Sequence, residues 1–134
     1  MANKITITSE NVEFLRKVEE LSGEIITLCD QCGTCSAGCP MVGEMDITPS
    51  QMVRNVQLGI TDVLDTKAMW LCASCFTCTV RCPRGLDLSK IAEALRQIKL
   101  RKAVDYIDIN KLPEEDLKEL PQIALISGFR KFTG

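Results

Sequence analysis

Apolar residues recur at helical spacing along much of the chain. The first helix is predicted from Glu10 to Leu21, with Ser9 as its N-cap and Gly23 as its stop. Its apolar stripe consists of Phe14 and a row of residues three apart, namely Val12, Leu15, Val18 and Leu21. Ahead of this helix, the segment 5–8 alternates isoleucine with threonine, which is compatible with a short strand or an extended arm.

Further helices are predicted in the middle of the chain. The pair Thr48-Pro49 supplies an N-cap and a proline at the first helical position, and Gly59 ends the turn. The apolar face of this helix is Met52, Val53 and Val56. A short helix is predicted from Asp62 or Thr66 into Trp70-Leu71, and a longer one opens at Leu88 with the apolar face Ile91, Ala94, Leu95 and Ile98. The predicted fold class is therefore mainly α.

The C-terminal tail has a different character. Pro113 and Pro121 bracket an acidic stretch that is predicted to form a short helix or a solvated turn. The segment 122–134 then carries the apolar residues Ile123, Leu125, Ile126, Phe129 and Phe132. Two interpretations remain open for these residues, because they can fold back onto the same core or dock on another subunit.

Composition narrows the function classes. The 134 residues carry a formal charge of −2, which argues against a surface that neutralises nucleic-acid phosphates. Neither a signal peptide nor a run of ~20 apolar residues is evident, so a cytoplasmic protein with no membrane insertion is expected. In that compartment, eight cysteines are predicted to bind metal or do redox work rather than form disulfides. Histidine is absent, so every metal ligand of the imidazole type is excluded.

The cysteines form two blocks of identical spacing. Cys29, Cys32, Cys35 and Cys39 precede Pro40, and Cys72, Cys75, Cys78 and Cys82 precede Pro83 in the same pattern, C-x-x-C-x-x-C-x-x-x-C-P. The repeat continues beyond the cysteines, since Met45-Asp46-Ile47-Thr48 and Leu86-Asp87-Leu88-Ser89 each lead into a predicted helix. Duplication of one unit is the simplest explanation.

This spacing is typical of 4Fe-4S binding. Three thiolates from C-x-x-C-x-x-C surround one part of a cube, and in two-cluster ferredoxins the fourth cysteine of such a run binds the other cluster. We therefore predict two 4Fe-4S clusters with crossed ligands. Cluster 1 is assigned to Cys29, Cys32, Cys35 and Cys82, and cluster 2 to Cys72, Cys75, Cys78 and Cys39.

Two other uses of eight thiols fit the pattern less well. A pair of zinc sites with four cysteines each would consume the same residues, but structural zinc usually takes two cysteine pairs that lie far apart in sequence. Four disulfides conflict with a reducing compartment. With a cysteine at every ligand position, no iron is left open for a substrate, and no nucleotide-binding glycine motif is present. The pattern therefore indicates an electron carrier without a catalytic residue of its own.

The two blocks also resemble a known family. The segments Cys32-Gly33-Thr34-Cys35-Ser36-Ala37-Gly38-Cys39-Pro40 and Trp70-Leu71-Cys72-Ala73-Ser74-Cys75-Phe76-Thr77-Cys78 are similar to those of the C subunit of heterodisulfide reductase. The wide spacing of the blocks also resembles the helical ferredoxin domains of succinate dehydrogenase and fumarate reductase. The resemblance covers residues 28–101 and implies an alpha-helical ferredoxin domain.

The resemblance further implies a function. In that family the C subunit relays electrons from a flavin-containing A subunit to a B subunit, which reduces the coenzyme M–coenzyme B heterodisulfide in methanogenesis. No C-C-G type domain for the noncubane clusters is present, so disulfide cleavage is expected on another chain. The alternatives are a free ferredoxin-like carrier, an iron–sulfur subunit of another anaerobic oxidoreductase, and a structural cluster protein that binds nucleic acid. The predicted division is an N-terminal arm and helix at 1–27, the duplicated domain at 28–102 and a tail at 103–134.

Overall fold

The computed structural model describes residues 6–101 and 111–130. Within those residues all regular structure is helical, which confirms the mainly α fold class. The chain forms two compact units, Met1–Lys99 and Leu100–Gly134. The three-part division expected from the sequence stays a prediction.

The first helix, α1, spans Ser9–Ser22. Its C-cap is Gly23, which has the left-handed conformation with a φ of 70°. Its cap is Thr8 rather than the predicted Ser9, because the side chain of Asn11 accepts a hydrogen bond from the backbone N–H of Thr8 at 2.8 Å. Residues 6–8 form no strand, and Ile5 lies outside the described residues.

The predicted stripe of α1 is partly wrong. Phe14, Val18 and Ser22 are buried, whereas Val12 is 42% exposed and Leu21 is 43% exposed. The buried residues are four apart, so they form one row along the helix face that packs on the core. The positions of the apolar residues in the sequence do not show which of two neighbouring rows on the surface of α1 packs against the core.

Two longer helices agree with the predictions. Helix α3 spans Pro49–Gln57 with Thr48 as its cap, and its face of Met52, Val53 and Val56 is buried. Helix α6 spans Leu88–Leu100 and buries Ile91, Ala94 and Leu95 in the same core. Their faces, together with Val18 and Ile26, form the apolar centre of the first unit.

The short helix predicted between these two is divided. A 3-10 turn covers Thr61–Asp65, and helix α4 covers only Ala68–Leu71. Asp46 explains the break, because its carboxylate accepts hydrogen bonds from the backbone N–H groups of Lys67 at 2.8 Å and Ala68 at 3.0 Å. A residue from the first repeat thus starts the helix that leads into the second cysteine block.

Two more helices are not evident from the sequence pattern. Helix α2 spans Thr34–Gly38, helix α5 spans Thr77–Arg81, and each lies inside a cysteine block. Each is 5 residues long, too short to show a helical period in the sequence. Short 3-10 turns at Ile26–Leu28 and Val42–Glu44 precede and follow the first block.

The part of the second unit that the structure describes contains two helices. Helix α7 spans Glu114–Glu119 behind Pro113, which confirms a helix in the acidic stretch, and α8 spans Gln122–Arg130. Ile123 and Ile126 are exposed on α8, and Phe132 lies outside the described residues. Whether this tail covers the core or docks on a partner stays a prediction.

The longest helix in the described part of the chain has 14 residues. A membrane-spanning helix needs about 20, mostly apolar. None of the described helices therefore has the length and apolar character to cross a bilayer.

Candidate metal centre

The two cysteine loops have the same backbone conformation. Gln31 and Ser74 occupy equivalent positions and have positive φ values of 58° and 50°. Gly33 and Phe76 are the next equivalent pair, with φ values of 78° and 59°. Left-handed residues reverse the chain direction, and non-glycine residues adopt them rarely. The duplication inferred from the sequence is therefore also a duplication of structure.

Four cysteines line the first cavity, which we call site 1. They are Cys29, Cys32 and Cys35 from the first block and Cys82 from the second. The remaining wall consists of Gln31, Thr34, Ser50, Val53, Leu86 and Leu88, together with Gly33 and Pro83. The structure thus brings together the four residues that the sequence assigned to cluster 1.

The second cavity, site 2, has the reciprocal composition. Cys72, Cys75 and Cys78 line it together with Cys39 from the first block. Its wall includes Met41, Met45, Met52, Ala68, Phe76 and Leu88, together with Ser74 and Ser89. Leu88, at the start of α6 and 4% exposed, therefore lies in the walls of both sites.

The packing of α2 on α5 explains why each cavity contains a cysteine from the other block. Cys39 follows the last residue of α2, and Cys82 follows the last residue of α5. The two helices are neighbours in the fold. Arg81 at the end of α5 lies over Gly38 at the end of α2, where an added Cβ would stand 2.8 Å from the Arg81 Nη1 atom.

Each loop is anchored at its start by a long polar side chain. Gln57 on α3 donates hydrogen bonds from Nε2 to the carbonyls of Ile26, at 3.0 Å, and Cys29, at 2.9 Å. Arg96 on α6 does the same for the second loop, with 2.8 Å bonds to the carbonyls of Met69 and Cys72. The Ile26 carbonyl also accepts from the backbone N–H of Cys29, so Gln57 adds a second donor there, and both anchors satisfy the carbonyl of the first cysteine of their loop.

A second anchor follows the third cysteine of each block. Ser36 accepts a hydrogen bond from the backbone N–H of Ser50 at 2.9 Å, at the first turn of α3. Its equivalent, Thr79, donates to the Asp87 carboxylate at 2.9 Å, and Asp87 also accepts from the backbone N–H of Ser89 at 3.0 Å. Each cysteine loop is therefore tied to the helix that follows it.

The cysteine thiols differ in acidity in the same way at both sites. The pKa of Cys32 is lowered by its hydrogen bond with the Thr34 hydroxyl, 3.3 Å away, and Thr77 lowers the pKa of Cys75 across 3.4 Å. Burial raises the pKa values of Cys35 and Cys78. Metal binding requires the thiolate, so the exposed member of each pair is the easier one to deprotonate.

The donor set and its spacing fit a cluster better than a single ion. In the described residues, no three His, Cys, Asp or Glu side chains are close enough to share one metal ion. A zinc site with four cysteine ligands needs four sulfurs about 2.3 Å from a single centre. A cubane is several ångströms across and takes one thiolate at each corner iron, which agrees with four cysteines around a cavity.

Sequence reasoning found the eight cysteines but not their supporting residues. Thr34 and Thr77 were detectable, because both blocks contain threonine directly before the third cysteine. Gln57 and Arg96 were not, since they are different residue types and lie 28 and 24 positions from the cysteines whose carbonyls they bind.

Comparison with known proteins agrees with this geometry. Residues 28–87 match the family model described as a 4Fe-4S dicluster domain. The class of protein that the fold and the two sites define is thus a helical protein with two 4Fe-4S clusters, as the sequence predicted.

The relatives are subunits of one type. The chain is 40% identical over 77 residues to the iron-sulfur C subunit 2 of the CoB--CoM heterodisulfide reductase of Methanocaldococcus jannaschii, covering 58% of this chain and 41% of that protein. It is 34% identical over 90 residues to the C subunit of the ferredoxin:CoB-CoM heterodisulfide reductase of Methanosarcina mazei, covering 67% and 56%. A third relative, from Methanopyrus kandleri, is 33% identical over 101 residues, covering 69% and 53%.

Residues 28–87 are thus a 4Fe-4S dicluster domain, and the chain is similar to heterodisulfide reductase C subunits, as its cysteine blocks indicated. It is an iron–sulfur electron-transfer protein related to those subunits. It spans about half the length of the curated relatives it matches.

Proposed function

We propose that this chain relays electrons inside a heterodisulfide reductase complex. It takes them from a flavin-containing A-type subunit and passes them to the B-type subunit that reduces the coenzyme M–coenzyme B heterodisulfide. The observation that carries the proposal is the pair of four-cysteine cavities in a domain whose relatives are named as subunits of this complex. A 4Fe-4S cluster supplies reversible one-electron storage at each site.

The ligand assignment is part of the proposal. Cys29, Cys32, Cys35 and Cys82 bind one cluster, and Cys72, Cys75, Cys78 and Cys39 bind the other. The support comes from the cavities, each of which has three cysteines of one block and the last cysteine of the other in its wall. The packing of α2 on α5 supports this assignment, because Cys39 and Cys82 directly follow these two helices.

The role of the remaining residues is to hold the thiolates and exclude water. Gln57 and Arg96 fix the start of each loop, and the two threonines favour the thiolate form of the exposed cysteines. Because four thiolates complete each site, no coordination position is left for a metabolite. Chemistry on the heterodisulfide then belongs to another subunit.

Reconstitution with partners tests the proposal. A tagged holoprotein is mixed anaerobically with A-type and B-type subunits from the same organism. We expect a complex on size exclusion, and heterodisulfide reduction that stops when Cys32→Ser and Cys75→Ser are combined. Arg16→Leu, which changes an exposed residue of α1, is the control that retains activity. Recovery of this chain only as a free monomer that supports no such reduction would favour a diffusing ferredoxin-like carrier or another oxidoreductase.

A further inference from the structure

The two sites differ in the hydrogen bonds that reach their cysteine sulfurs. At site 1, the side-chain Nε2 of Gln31 donates to the Cys29 sulfur at 3.4 Å. The backbone N–H of Leu86 donates to the Cys82 sulfur, also at 3.4 Å. Both donors approach ligands that the proposed function assigns to cluster 1.

Within the described residues, site 2 lacks counterparts of these two bonds. The position equivalent to Gln31 is occupied by Ser74, whose side chain is too short to repeat the contact. Across residues 6–101 and 111–130, no donor makes a hydrogen bond to the sulfur of Cys72 or of Cys39. The threonine contacts at Cys32 and Cys75 are present at both sites and so do not distinguish them.

A second glutamine holds Gln31 in position. The amide Nε2 of Gln31 also donates to Oε1 of Gln57 at 3.4 Å, and Gln57 is itself fixed by its bonds to the carbonyls of Ile26 and Cys29. The corresponding anchor at site 2 is Arg96, whose guanidinium has only donors and cannot hold an amide in this way. The glutamine pair is therefore specific to site 1.

Hydrogen bonds to the sulfurs raise the reduction potential of a cluster, because they stabilise the extra negative charge of the reduced state. At site 2, the side chains of Met41, Met45, Met52 and Phe76 have no hydrogen-bond donor for the cysteine sulfurs. Asp30 and Arg84, two charged residues beside the site 1 cysteines, form an ion pair with each other. Arg96, which binds the Cys72 carbonyl at site 2, is likewise ion-paired with Glu93, so the hydrogen bonds to sulfur are the difference that favours a higher potential at site 1.

We propose that Gln31, held by Gln57, makes site 1 the higher-potential site, so that electrons pass from site 2 to site 1. This inference rests on the ligand sets of the proposed function. The step is a one-electron exchange in which the site 2 cluster is oxidised by one electron and the site 1 cluster is reduced by one. No bond is made or broken and no proton is taken up. Site 2 is then the entry and site 1 the exit of the relay.

Redox titration of the isolated holoprotein, followed by electron paramagnetic resonance, tests this order. Wild type is expected to show two midpoints. Gln31→Ser, which installs the residue of the second repeat, lowers the higher midpoint and leaves the lower one in place. The shift is up to about tenfold in the exchange equilibrium, or about 59 mV for one electron. Gln31→Glu, which replaces the donor with a carboxylate, lowers it further.

The controls separate this inference from the proposed function. Gln97→Ser removes a glutamine of α6 whose side chain bonds only to Glu93 among the described residues, and both midpoints are expected to stay at wild-type values. Cys32→Ser abolishes the signal of site 1 and thereby identifies its midpoint. Movement of the lower midpoint in Gln31→Ser, assignment of the lower midpoint to site 1, or no movement with full iron content would each overturn the inference. The proposed relay and its ligand sets would stand in all three cases.

Discussion

Gly38 and Arg81 occupy equivalent positions in the two repeats, and the Arg81 side chain fills the space that a side chain at position 38 would occupy. A Cβ on Gly38 would lie 2.8 Å from Arg81 Nη1 and 3.1 Å from its Cδ. The two repeats therefore meet asymmetrically at this contact although their backbones correspond. The glycine lets α2 and α5 approach each other, and the arginine covers the junction.

Gly38→Ala tests this contact in a double-mutant cycle. We expect the single variant to destabilise the holoprotein by about 1–2 kcal/mol, because the guanidinium must be displaced. In the Arg81→Ala background the same change should be neutral or stabilising by up to about 1 kcal/mol, since alanine favours a helix over glycine. Anaerobic thermal unfolding of the four proteins measures the coupling. Additive effects would show that Arg81 does not restrict position 38.

Gly59→Ala is expected to be the most damaging glycine substitution in the described residues. Gly59 has a φ of 67°, and its Cβ would lie 2.2 Å from the carbonyl oxygen of Asn11 in α1. Backbone strain and overpacking together predict a loss of about 3 kcal/mol or more. Gly23→Ala is the matched control, because its φ is 70° and nothing lies within 4 Å of the added methyl. It should cost only about 1 kcal/mol. Similar melting temperatures for the two variants would contradict this explanation.

The crossed ligand sets predict which variants share a spectrum. Cys39→Ser should resemble Cys75→Ser in the paramagnetic signals that remain after reduction, and Cys82→Ser should resemble Cys32→Ser. Each single variant should also lose up to half of its iron and acid-labile sulfide. Grouping of Cys39→Ser with Cys32→Ser would instead indicate that each block binds its own cluster.

Removal of the Arg96 side chain is expected to weaken site 2 selectively. Arg96→Leu leaves the carbonyls of Met69 and Cys72 without their donor, which costs about 1–3 kcal/mol for each carbonyl that stays buried. The site 2 signal should therefore be lost first when the holoprotein is challenged with a chelator. Gln57→Leu should weaken site 1 in the same assay, and the exposed Arg16→Leu should weaken neither. Equal loss of both signals in Arg96→Leu would contradict the local role of this side chain.

Local signals account for the parts of the fold that the sequence revealed. Thr48 caps α3 and Pro49 is its first residue, and Gly23 ends α1 by its own left-handed backbone conformation. These signals lie at the helix ends themselves, so the boundaries were predictable. The break before α4 depends on Asp46, 21 and 22 residues away from the two amides it caps, and no local pattern reports it. Helices α2 and α5 were not predictable for another reason, since each has only 5 residues and lies within a cysteine loop.

The site was predictable to the same extent. The eight cysteines and their grouping follow from a repeated spacing that needs no knowledge of the fold. The difference between the two sites does not, because it arises from Gln31 and Gln57, which are 26 residues apart and carry no motif. Residues that bind a centre are visible in the chain, whereas residues that tune it become visible only when the chain is folded.

Leu88 is the side chain common to both cavity walls, and this has a consequence for how the protein works. Because one side chain lines both cavities, clusters bound in them would be neighbours. An electron passing between such clusters would need no helix to swing and no loop to open. Rigidity, which many enzymes must give up in order to turn over, is here an advantage.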